Sequence, residues 1–380
     1  MKVMLIEDDK NKARDIIEHL FARGITEQDV IHAKNMTDFT ANLNSDIGLF
    51  IIDFKLPSMD NGVASQNGEA ILESIIKAGK DNALLLAISS YPSDFPGLRE
   101  KFEAHGCILA DFANKAGWQS TLNHLIIQLN KNIRFDFLIF CALSEERNPY
   151  VVLNPGRRSN RGGLDSYDIE ISGSKGSVIV LPQMGLVNAA IIAAQAIDRF
   201  KPKLVAMSGI CGGFKGRAEM GQLLFSSMAY EYQSGKWATD GFRHEPYQVS
   251  TDHNTLTNLK LLAGDGDIIS ELESGFRGVR PDTAHMPEAG IFTSGSAVIA
   301  NQELMEQIQN IHRKVNALDM EVFAIHRAAE LSTEKPHCIC AKTVVDLGDV
   351  DKSDALHKYG SYISAKFIVK AIQDYFTNQR

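Results

Sequence analysis

The strongest constraint on the fold is a regular alternation of short apolar segments and amphipathic segments over the first 125 residues. The apolar segments have the length of buried strands, and the segments between them carry apolar residues at helical spacing. This alternation predicts an α/β domain with a doubly wound, five-stranded parallel sheet. The predicted strands are KVMLIE, VIHA, LFIID, ALLLAIS and CILADF, and the predicted helices cover 11–22, 36–43, 68–78, 98–104 and 119–128.

Polar side chains follow the carboxyl ends of these predicted strands, where doubly wound sheets place their sites. Asp8 and Asp9 follow the first strand, and Asp53 ends the third. Three carboxylates brought together repel one another unless a hard divalent cation such as Mg²⁺ joins them. Ser89 and Lys115, at the ends of the fourth and fifth strands, are suited to bind a phosphoryl group. The pattern predicts a magnesium-dependent phosphoacceptor, although Asp8 or Asp9 alone would equally suit a helix cap.

These five positions resemble those of the receiver domain of response regulators, and the resemblance covers nearly all of residues 1–129. It implies that a sensor histidine kinase or phosphotransfer protein phosphorylates Asp53. It also implies that Asp8, Asp9 and Asp53 hold Mg²⁺. Ser89 and Lys115 would then respond to the phosphorylated state.

A polar segment, NKNIR at 130–134, ends the first domain, and a second domain is expected over 134–380. Its strands and helices again alternate, but less regularly, which predicts an α/β domain with a mixed central sheet. The predicted strands include FDFLIFC, SVIVLP, LVAMSGICGGF, LLFSSMAY, IFTSG, VNALD and CICAKTVVD, and the predicted helices cover 187–200, 302–311, 320–330 and 361–376.

The last of these strands ends in an acid, Asp346. Aspartate is a poor strand former and is usually exposed, so its place at the end of a core strand indicates either a helix cap or a functional site. Six motifs occur in an order that resembles the purine nucleoside phosphorylase and nucleosidase superfamily, especially its methylthioadenosine/S-adenosylhomocysteine nucleosidases. The motifs are CALSEE, MGLVNAA, SGICGGF, SGSAVIAN, LDMEVFA and VVDLGD.

The resemblance assigns catalytic roles to two acids. Cleavage of an N-glycosidic bond passes through an oxocarbenium-like state, and a purine leaves readily when its ring nitrogen is protonated. Asp346 would donate that proton, for which a partly desolvated pocket would raise its pKa. Glu146 would activate water, and Glu321 with Met320 would bind the ribose hydroxyls. The other implied substrate contacts are Val298 and Ile299 at the base, and Ser208 and Gly209 in a glycine-rich turn.

The residues near Glu146 favour hydrolysis over phosphorolysis. Phosphorylases of this superfamily need an arginine-lined cradle for free phosphate, whereas the corresponding segment here reads ALSEERNPY. Arg147 keeps the phosphorylase alternative open, because a guanidinium can bind an anion.

Basic residues in two segments indicate a substrate that carries phosphate groups. Lys236, Arg243 and His244 lie in EYQSGKWATDGFRHEPYQV, where a methylthio tail would need an apolar pocket. Arg157 and Arg158 lie in NPGRRSNRGG, which is expected to form a loop. A solvated basic loop explains this second cluster equally well.

A receiver joined to such a nucleosidase resembles the effector of the Detocs anti-phage two-component defence system. In that family the output domain cleaves ATP into adenine and ribose triphosphate, so the resemblance implies a phosphorylation-gated adenine nucleotide nucleosidase. The alternatives are a receiver-controlled methylthioadenosine/S-adenosylhomocysteine nucleosidase and a non-catalytic module that senses nucleosides. Superfamily members are usually dimers or trimers of dimers, which implies a homo-oligomer.

Composition narrows the setting. The formal charge of −8 and the lack of a helix-turn-helix candidate argue against DNA as a partner. No apolar run approaches the ~20 residues that span a bilayer, and MKVMLIEDD does not resemble a secretory signal, so a cytoplasmic protein is expected. The five cysteines show no CxxC spacing, and neither disulfides nor a zinc site are expected.

Overall fold

The computed structural model describes residues 2–60, 62–80, 82–91, 95–131, 133–245, 247–348 and 354–377. The chain divides into two compact units, Met1–Ile133 and Arg134–Arg380. Among the described helices, none combines the length and apolarity needed to cross a membrane.

The first unit contains a five-stranded parallel sheet with the strand order β2-β1-β3-β6-β7, as the alternation of strands and helices indicates. A separate short antiparallel pair is formed by β4 and β5. The strands are β1 (Lys2–Ile6), β2 (Val30–Ala33), β3 (Ile47–Ile52), β4 (Lys55–Leu56), β5 (Ser65–Gln66), β6 (Leu84–Ser89) and β7 (Ile108–Asp111). The helices are α1 (Lys10–Ala22), α2 (Met36–Asn42), α3 (Gly68–Lys77), α4 (Phe95–Glu103) and α5 (Lys115–Lys131).

Both faces of this sheet are covered, which is why β3 reads as a continuous apolar run rather than an alternating one. Leu49 and Ile51 of β3 pack with residues of α1 and α5 on one face. Phe50 and Ile52 pack with residues of α2 and α3 on the other face. The carboxyl ends of the strands therefore emerge along one edge between two helical layers.

The second unit is built on a ten-stranded mixed sheet with the order β16-β13-β17-β18-β12-β8-β11-β10-β9, and β19 pairs with both β12 and β13. Its strands are β8 (Phe137–Cys141), β9 (Gly156–Asn160), β10 (Asp165–Ile171), β11 (Ser174–Val180), β12 (Leu204–Gly213), β13 (Leu223–Glu231), β14 (Gly235–Ala238), β15 (Gly241–His244), β16 (Gln248–Ser250), β17 (Glu288–Ser294), β18 (Val315–Asp319) and β19 (His337–Asp346). Its helices are α6 (Ser144–Leu153), α7 (Leu186–Phe200), α8 (His253–Ala263), α9 (Ile268–Glu273), α10 (Gln302–Ile311), α11 (Val322–Leu331) and α12 (His357–Thr377).

The two faces of β19 have different partners, because successive side chains of a strand point to opposite sides. Ile339, Ala341 and Val345 belong to the main core together with residues of α12. Lys342 and Asp346 lie on the opposite face and line a cavity. The long final strand thus contributes to the main core on one side and brings Lys342 and Asp346 to the cavity from the other.

Two segments differ from the sequence prediction. The predicted turn SGICGG lies within β12, where Gly209 adopts a φ of +155°. The arginine-containing segment predicted as a loop is the edge strand β9, which pairs with β10. Both segments are rich in glycine or polar residues, and pairing with neighbouring strands keeps them in an extended conformation.

Candidate functional site

A cavity of about 370 Å³ lies in the second unit at the ends of β8, β12, β18 and β19. Its volume falls at the lower end of the range for small-molecule sites. Most of its lining is apolar, and Val298, Ile299 and Met320 contribute to it as predicted. Ile299 is buried, whereas Val298 is 64% exposed at the rim. The polar part of the lining consists of Glu146, Asp319, Glu321, Lys342, Asp346, Asp354 and His357.

Asp346 reaches the cavity because β19 ends there. The pairing of β12 with β19 shifts register between Cys211 and Gly212, so that Gly212 lies opposite Asp346. A Cβ atom on Gly212 would lie 3.1 Å from Oδ1 of Asp346. The backbone N–H of Gly348 donates to the same oxygen over 3.0 Å. The acid is therefore held at the strand end by its own turn. The last acid of the motif, Asp349, lies outside the described residues.

Glu146 lies in the first turn of α6 and is only 1% exposed. Its Oε2 atom accepts hydrogen bonds from the backbone N–H groups of Ala142 (2.7 Å) and Leu143 (3.0 Å), and its Oε1 atom accepts one from Ile210 (3.0 Å). Burial raises the pKa of Glu146, although the charge of Lys342 and the backbone hydrogen bonds oppose the rise. A carboxyl group whose pKa is raised is a stronger base, which suits it to accept a proton from water.

Gly209 and Ser208 were predicted to contact the substrate, and neither lines the cavity. A Cβ atom at Gly209 would lie 2.0 Å from Oε1 of Glu146, so the glycine makes room for that carboxylate. Ser208 is fully buried and its hydroxyl accepts a hydrogen bond from Tyr150 over 2.8 Å. Gly209 thus leaves space for Glu146, whereas Ser208 belongs to the buried interior beside Tyr150.

Glu321 lies where β18 leads into α11, and it is 2% exposed. Its Oε1 atom accepts a hydrogen bond from the backbone N–H of Gly185 over 3.0 Å. Its Oε2 atom lies 3.0 Å from Nζ of Lys342. Each oxygen keeps a lone pair for a further donor, such as a sugar hydroxyl.

Lys342 and Asp319 are site residues that the sequence analysis did not select. Nζ of Lys342 lies 2.8 Å from Oδ2 of Asp319, and both side chains are 2% exposed. Burial lowers the pKa of Lys342, but the carboxylates of Asp319, Glu321 and Glu146 outweigh it and raise the pKa well above its ordinary value. A lysine within the apolar segment CICAKTVVD was the available signal, because a buried ammonium group needs anionic partners.

The basic residues predicted to bind phosphate do not line the cavity. Arg158 lies on the edge strand β9, 68% exposed and 3.9 Å from Asp165, and Arg157 precedes it on the same strand. Arg243 and His244 lie in the β14–β15 hairpin. Arg243 Nη2 donates to Asp240 over 2.9 Å, and His244 Nδ1 lies 3.0 Å from the carbonyl oxygen of Tyr232.

A hydrogen bond connects the segment before the hairpin with the segment before the cavity rim. The side-chain oxygen of Gln233, just before β14, accepts a hydrogen bond from the backbone N–H of Ser296 over 2.8 Å. Ser296 directly precedes Ala297 and Val298 of the cavity rim. The hairpin residues are thus connected to the rim, whereas β9 is separated from β8 by two intervening strands.

Arg147, which kept phosphorolysis open, is 1% exposed and its Nη1 atom lies 2.8 Å from Oδ1 of Asp165. It does not line the cavity. Its guanidinium group pairs with Asp165 of β10.

A second acidic cluster lies in the first unit, at the ends of β1 and β3. One carboxylate oxygen from each of Glu7, Asp8 and Asp53 falls within 4.8 Å of the others. Nζ of Lys12 lies 2.7 Å from Oε2 of Glu7 and 2.9 Å from Oδ1 of Asp53. Burial raises the pKa of Glu7 to about 7, despite the opposing charge of Lys12.

Asp9, which was predicted to be a metal ligand, lies outside this acidic cluster. Its carboxylate caps α1, where Oδ1 accepts hydrogen bonds from the backbone N–H groups of Asn11 (2.8 Å) and Lys12 (2.9 Å). Glu7, one residue before Asp8, takes its place in the cluster. The sequence showed only consecutive acids, and the start of the helix decided which of them turned inward.

The two residues predicted to sense the phosphorylated state lie in different environments. Ser89 is buried, and its hydroxyl accepts a hydrogen bond from the backbone N–H of Tyr91 over 3.0 Å. Lys115 is exposed at the first position of α5. It is Lys12, on α1, that pairs with Asp53 in this structure.

The matched region of the chain decides its family. Residues 137–374 match the phosphorylase superfamily. The chain belongs to this superfamily. The match spans well over half of the chain and includes the whole set of cavity-lining residues.

Curated relatives of the chain include nucleosidases. The uncharacterized protein y4jS of Sinorhizobium fredii is 28% identical over 98% of this chain and 98% of its own length. ATP nucleosidase Cap17 of Escherichia coli is 25% identical over 55% of this chain, and the match spans only 44% of that protein. A 5′-methylthioadenosine/S-adenosylhomocysteine nucleosidase of Listeria innocua is 27% identical over 44% of this chain and 68% of its own length.

Solved structures share the fold of the second unit. The 5′-methylthioadenosine/S-adenosylhomocysteine nucleosidase of Neisseria meningitidis, bound to methylthio-immucillin-A, matches 62% of this chain and 98% of its own with a TM-score of 0.51 and 18% identity. The futalosine hydrolase of Helicobacter pylori matches 63% of this chain and 97% of its own, with a TM-score of 0.53 and 17% identity. Together with the family match, the curated nucleosidases confirm the prediction of an enzyme of the purine nucleosidase type.

Proposed function

We propose that the second unit hydrolyses the N-glycosidic bond of adenine nucleotides, with ATP as substrate and adenine and ribose triphosphate as products. The observation that carries this proposal is the convergence of Glu146, Glu321 and Asp346 on one cavity from three different elements. The similarity to ATP nucleosidase Cap17 supports the choice of nucleotide. An enzyme that consumes ATP would act in the cytoplasm.

The proposed reaction uses Asp346 as the general acid. Its proton passes to a ring nitrogen of the adenine, and the electron pair of the bond between the anomeric carbon and the base goes to the departing ring. Its position beside Gly212, in a partly buried part of the cavity, supports this role. The sugar carbon is left with oxocarbenium character.

Glu146 is the proposed base for the attacking water. Its Oε1 atom accepts a single backbone hydrogen bond, so it can take a proton as the water oxygen bonds to the anomeric carbon. The net result is addition of one water molecule across the glycosidic bond. The fixed hydrogen bonds to α6 and β12 would hold the base in place during this step.

Glu321 and Lys342 are proposed to position the ribose. Glu321 would accept hydrogen bonds from the sugar hydroxyls, while the ammonium group of Lys342 neutralises Glu321 and Asp319. Without that cation, several buried carboxylates in one cavity would disfavour one another's ionised state. Lys342 therefore allows acids of different function to share the site.

The phosphate groups are proposed to extend past the rim toward the β14–β15 hairpin. The cavity itself is small, and among the described residues its lining contains more carboxylates than cationic groups. Lys236 and Arg243, on the two strands of the hairpin, lie opposite each other in the antiparallel pair. The hydrogen bond between Gln233, which precedes β14, and Ser296 supports a path from the rim to the hairpin. Arginine is well suited to bind phosphate oxygens there.

Hydrolysis is proposed rather than phosphorolysis, because Arg147 is buried in an ion pair with Asp165. One specific observation favours a second substrate class. The largely apolar lining, which includes Met184 and Val345, would also accept a methylthio group. Methylthioadenosine or S-adenosylhomocysteine is therefore the competing substrate, in agreement with the nucleosidase of Listeria innocua among the relatives.

The first unit is proposed to act as a receiver that regulates the nucleosidase, with Asp53 as the site phosphorylated by a histidine kinase or phosphotransfer protein. Glu7, Asp8 and Asp53 would hold Mg²⁺, since carboxylate oxygens are the ligands that this cation prefers. The cation would neutralise the incoming phosphoryl group. In the structure Lys12 pairs with two of these carboxylates, Glu7 and Asp53, and the cation would share them with its ammonium group.

By its resemblance to the Detocs effector, the protein is proposed to serve in anti-phage defence by depleting nucleotides. A homo-oligomer is proposed as its working form. Exposed apolar side chains on two helices support an interface between subunits, namely Val151 and Val152 of α6 and Val187 and Ile191 of α7.

A nucleotide panel tests the proposal. Purified protein is incubated with ATP, AMP, adenosine and methylthioadenosine, with and without phosphorylation by a cognate kinase, and free adenine is measured by chromatography. Adenine and ribose triphosphate are expected from ATP. Treatment with the kinase should change the rate of the unaltered protein but not that of Asp53→Asn.

Preference for methylthioadenosine would favour the second substrate class. If the kinase altered the rate of Asp53→Asn as much as that of the unaltered protein, the proposed switch would be refuted.

A further inference from the structure

A cluster of sulfur and nitrogen ligands lies away from the cavity, between α11 and β19. It consists of His326, Cys338 and Cys340, and one ligand atom from each lies within 4.8 Å of the other two. We propose that this cluster is a binding site for a thiophilic divalent cation, of which Zn²⁺ is the representative. None of the three residues lines the cavity, and the proposal does not depend on the nucleosidase reaction.

The two sulfur atoms already stand at the spacing that such a cation requires. Cys338 and Cys340 are alternate residues of β19, so their side chains share one face of the strand. Their Sγ atoms lie 3.9 Å apart. For a tetrahedral zinc ion with Zn–S bonds of about 2.3 Å, two sulfur ligands are separated by roughly 3.8 Å. Binding would therefore require little movement of the strand.

The imidazole of His326 provides the second, independent observation. The residue is 2% exposed in α11, and one of its ring nitrogens lies within the cluster. Its Nε2 atom is buried and has no hydrogen-bond partner within the part of the chain that the structure describes. Buried polar atoms are nearly always paired, so an unpaired one calls for a ligand or ion. We therefore assign Nε2 as the proposed ligand atom of His326, and coordination of the cation would supply its missing partner.

The two sulfur ligands and the imidazole match the preference of soft metal ions, and the thiols must lose their protons when the metal binds. Cys340 is fully buried, and burial together with the neighbouring thiol raises its pKa well above the ordinary value. On binding, the metal forms two bonds to sulfur and one to nitrogen, and the two thiol protons pass to solvent. Thiolate and imidazole ligands favour zinc over magnesium or calcium.

The half-buried position of Cys338 gives the cation an entry path and leaves room for a fourth ligand from solvent. Three protein ligands with one open position are typical of sites from which the metal can exchange. The site also has a structural consequence. α11 begins directly after Glu321, and Lys342 lies two residues beyond Cys340. A bound cation would fasten together the helix and strand that carry this buried ion pair.

Cobalt substitution provides the direct test. The full-length protein, reduced and freed of metal with a chelator, is titrated with Co²⁺ under anaerobic conditions. We expect one equivalent per chain to produce a thiolate-to-cobalt charge-transfer absorption and the visible bands of tetrahedral cobalt. Zn²⁺ should displace the cobalt and raise the apparent melting temperature of the protein. A titration that yields no thiolate absorption would overturn the proposal.

Matched variants locate the site. Cys338→Ser and His326→Gln should weaken cobalt binding by at least about 100-fold, because even loss of a partner outside the ligand set costs about 10–100-fold. Cys107→Ser is the matched control, because Cys107 is a buried cysteine of the first unit. This variant should bind cobalt like the unaltered protein. Circular dichroism verifies folding of each variant. Undiminished cobalt absorption in the folded Cys338→Ser and His326→Gln variants would contradict the assignment. If one variant does not fold, the result for the other variant decides.

Discussion

Nζ of Lys342 lies 3.0 Å from Oε2 of Glu321, and both side chains are almost completely shielded from solvent. The same ammonium group also pairs with Asp319. One residue of β19 thereby neutralises the negative charge of two carboxylates, which come from β18 and the start of α11. The part of the cavity that is proposed to bind ribose depends on this arrangement.

Replacement of Lys342 by methionine should destabilise the protein by about 3–5 kcal/mol, because two buried carboxylates lose their cation. Chemical denaturation measures the change in the free energy of unfolding. Lys203→Met is the matched control, since Lys203 is 66% exposed and lies 3.9 Å from Asp136. That change should cost less than about 1 kcal/mol. Equal effects of the two substitutions would show that the buried pairs contribute little.

Gly209→Ala should lower kcat/KM by more than about tenfold, because displacing a catalytic group even slightly is costly. The added Cβ atom would lie 2.0 Å from Oε1 of Glu146 and would push the carboxylate away from Ile210. Steady-state kinetics with ATP measures the effect. Gly266→Ala, where the structure shows no atom within 4 Å of the new Cβ among the described residues, should leave kcat/KM unchanged. Full activity of Gly209→Ala would show that catalysis does not depend on the position of Glu146.

The pH dependence of kcat/KM should show an acidic limb displaced upward from the ordinary glutamate range. The base must be ionised to accept a proton from water, and burial raises the pKa of Glu146. Activity should therefore rise with pH as Glu146 loses its proton, and it should fall as the pH drops through the raised pKa. Glu146→Gln should lose the activity over the whole range. An acidic limb at the ordinary value of 4.5 would contradict the role assigned to this carboxyl group.

Arg243→Ala should reduce kcat/KM for ATP by about tenfold or more, since hydrogen bonds to charged groups contribute about 1.5–3 kcal/mol. Turnover of adenosine, which has no phosphate, should be unaffected. Arg158→Ala provides the control, because Arg158 lies on the edge strand β9 with a similar exposed fraction of 68%. If Arg243→Ala impaired both substrates equally, the hairpin would not bind phosphate.

Much of the site follows from the order of the motifs. Asp346 could be selected because an acid at the end of an apolar strand needs an explanation, and the structure places it in the cavity with Glu146 and Glu321. These residues lie far apart in sequence, and strand pairing brings them together. Their catalytic roles remain predictions.

Other residues could not be placed by sequence alone. Asp9 and Glu7 are neighbours of Asp8, and only the geometry of the first turn of α1 shows that Asp9 caps the helix. The role of Gly209 depends on a close approach between β12 and α6, which no local pattern encodes. The cysteine cluster could not be recognised from the sequence, because its cysteines do not have CxxC spacing. They are alternate residues of one strand, and the third member is a histidine from the preceding helix.

The most direct test is the release of adenine from ATP by the unaltered protein and by Asp346→Asn, measured by chromatography with circular dichroism to confirm folding. The amide cannot donate the proton that the departing adenine requires, so the variant should fold normally and release adenine at least about 100-fold more slowly. Release of adenine by a folded Asp346→Asn at the rate of the unaltered protein would contradict the proposed mechanism.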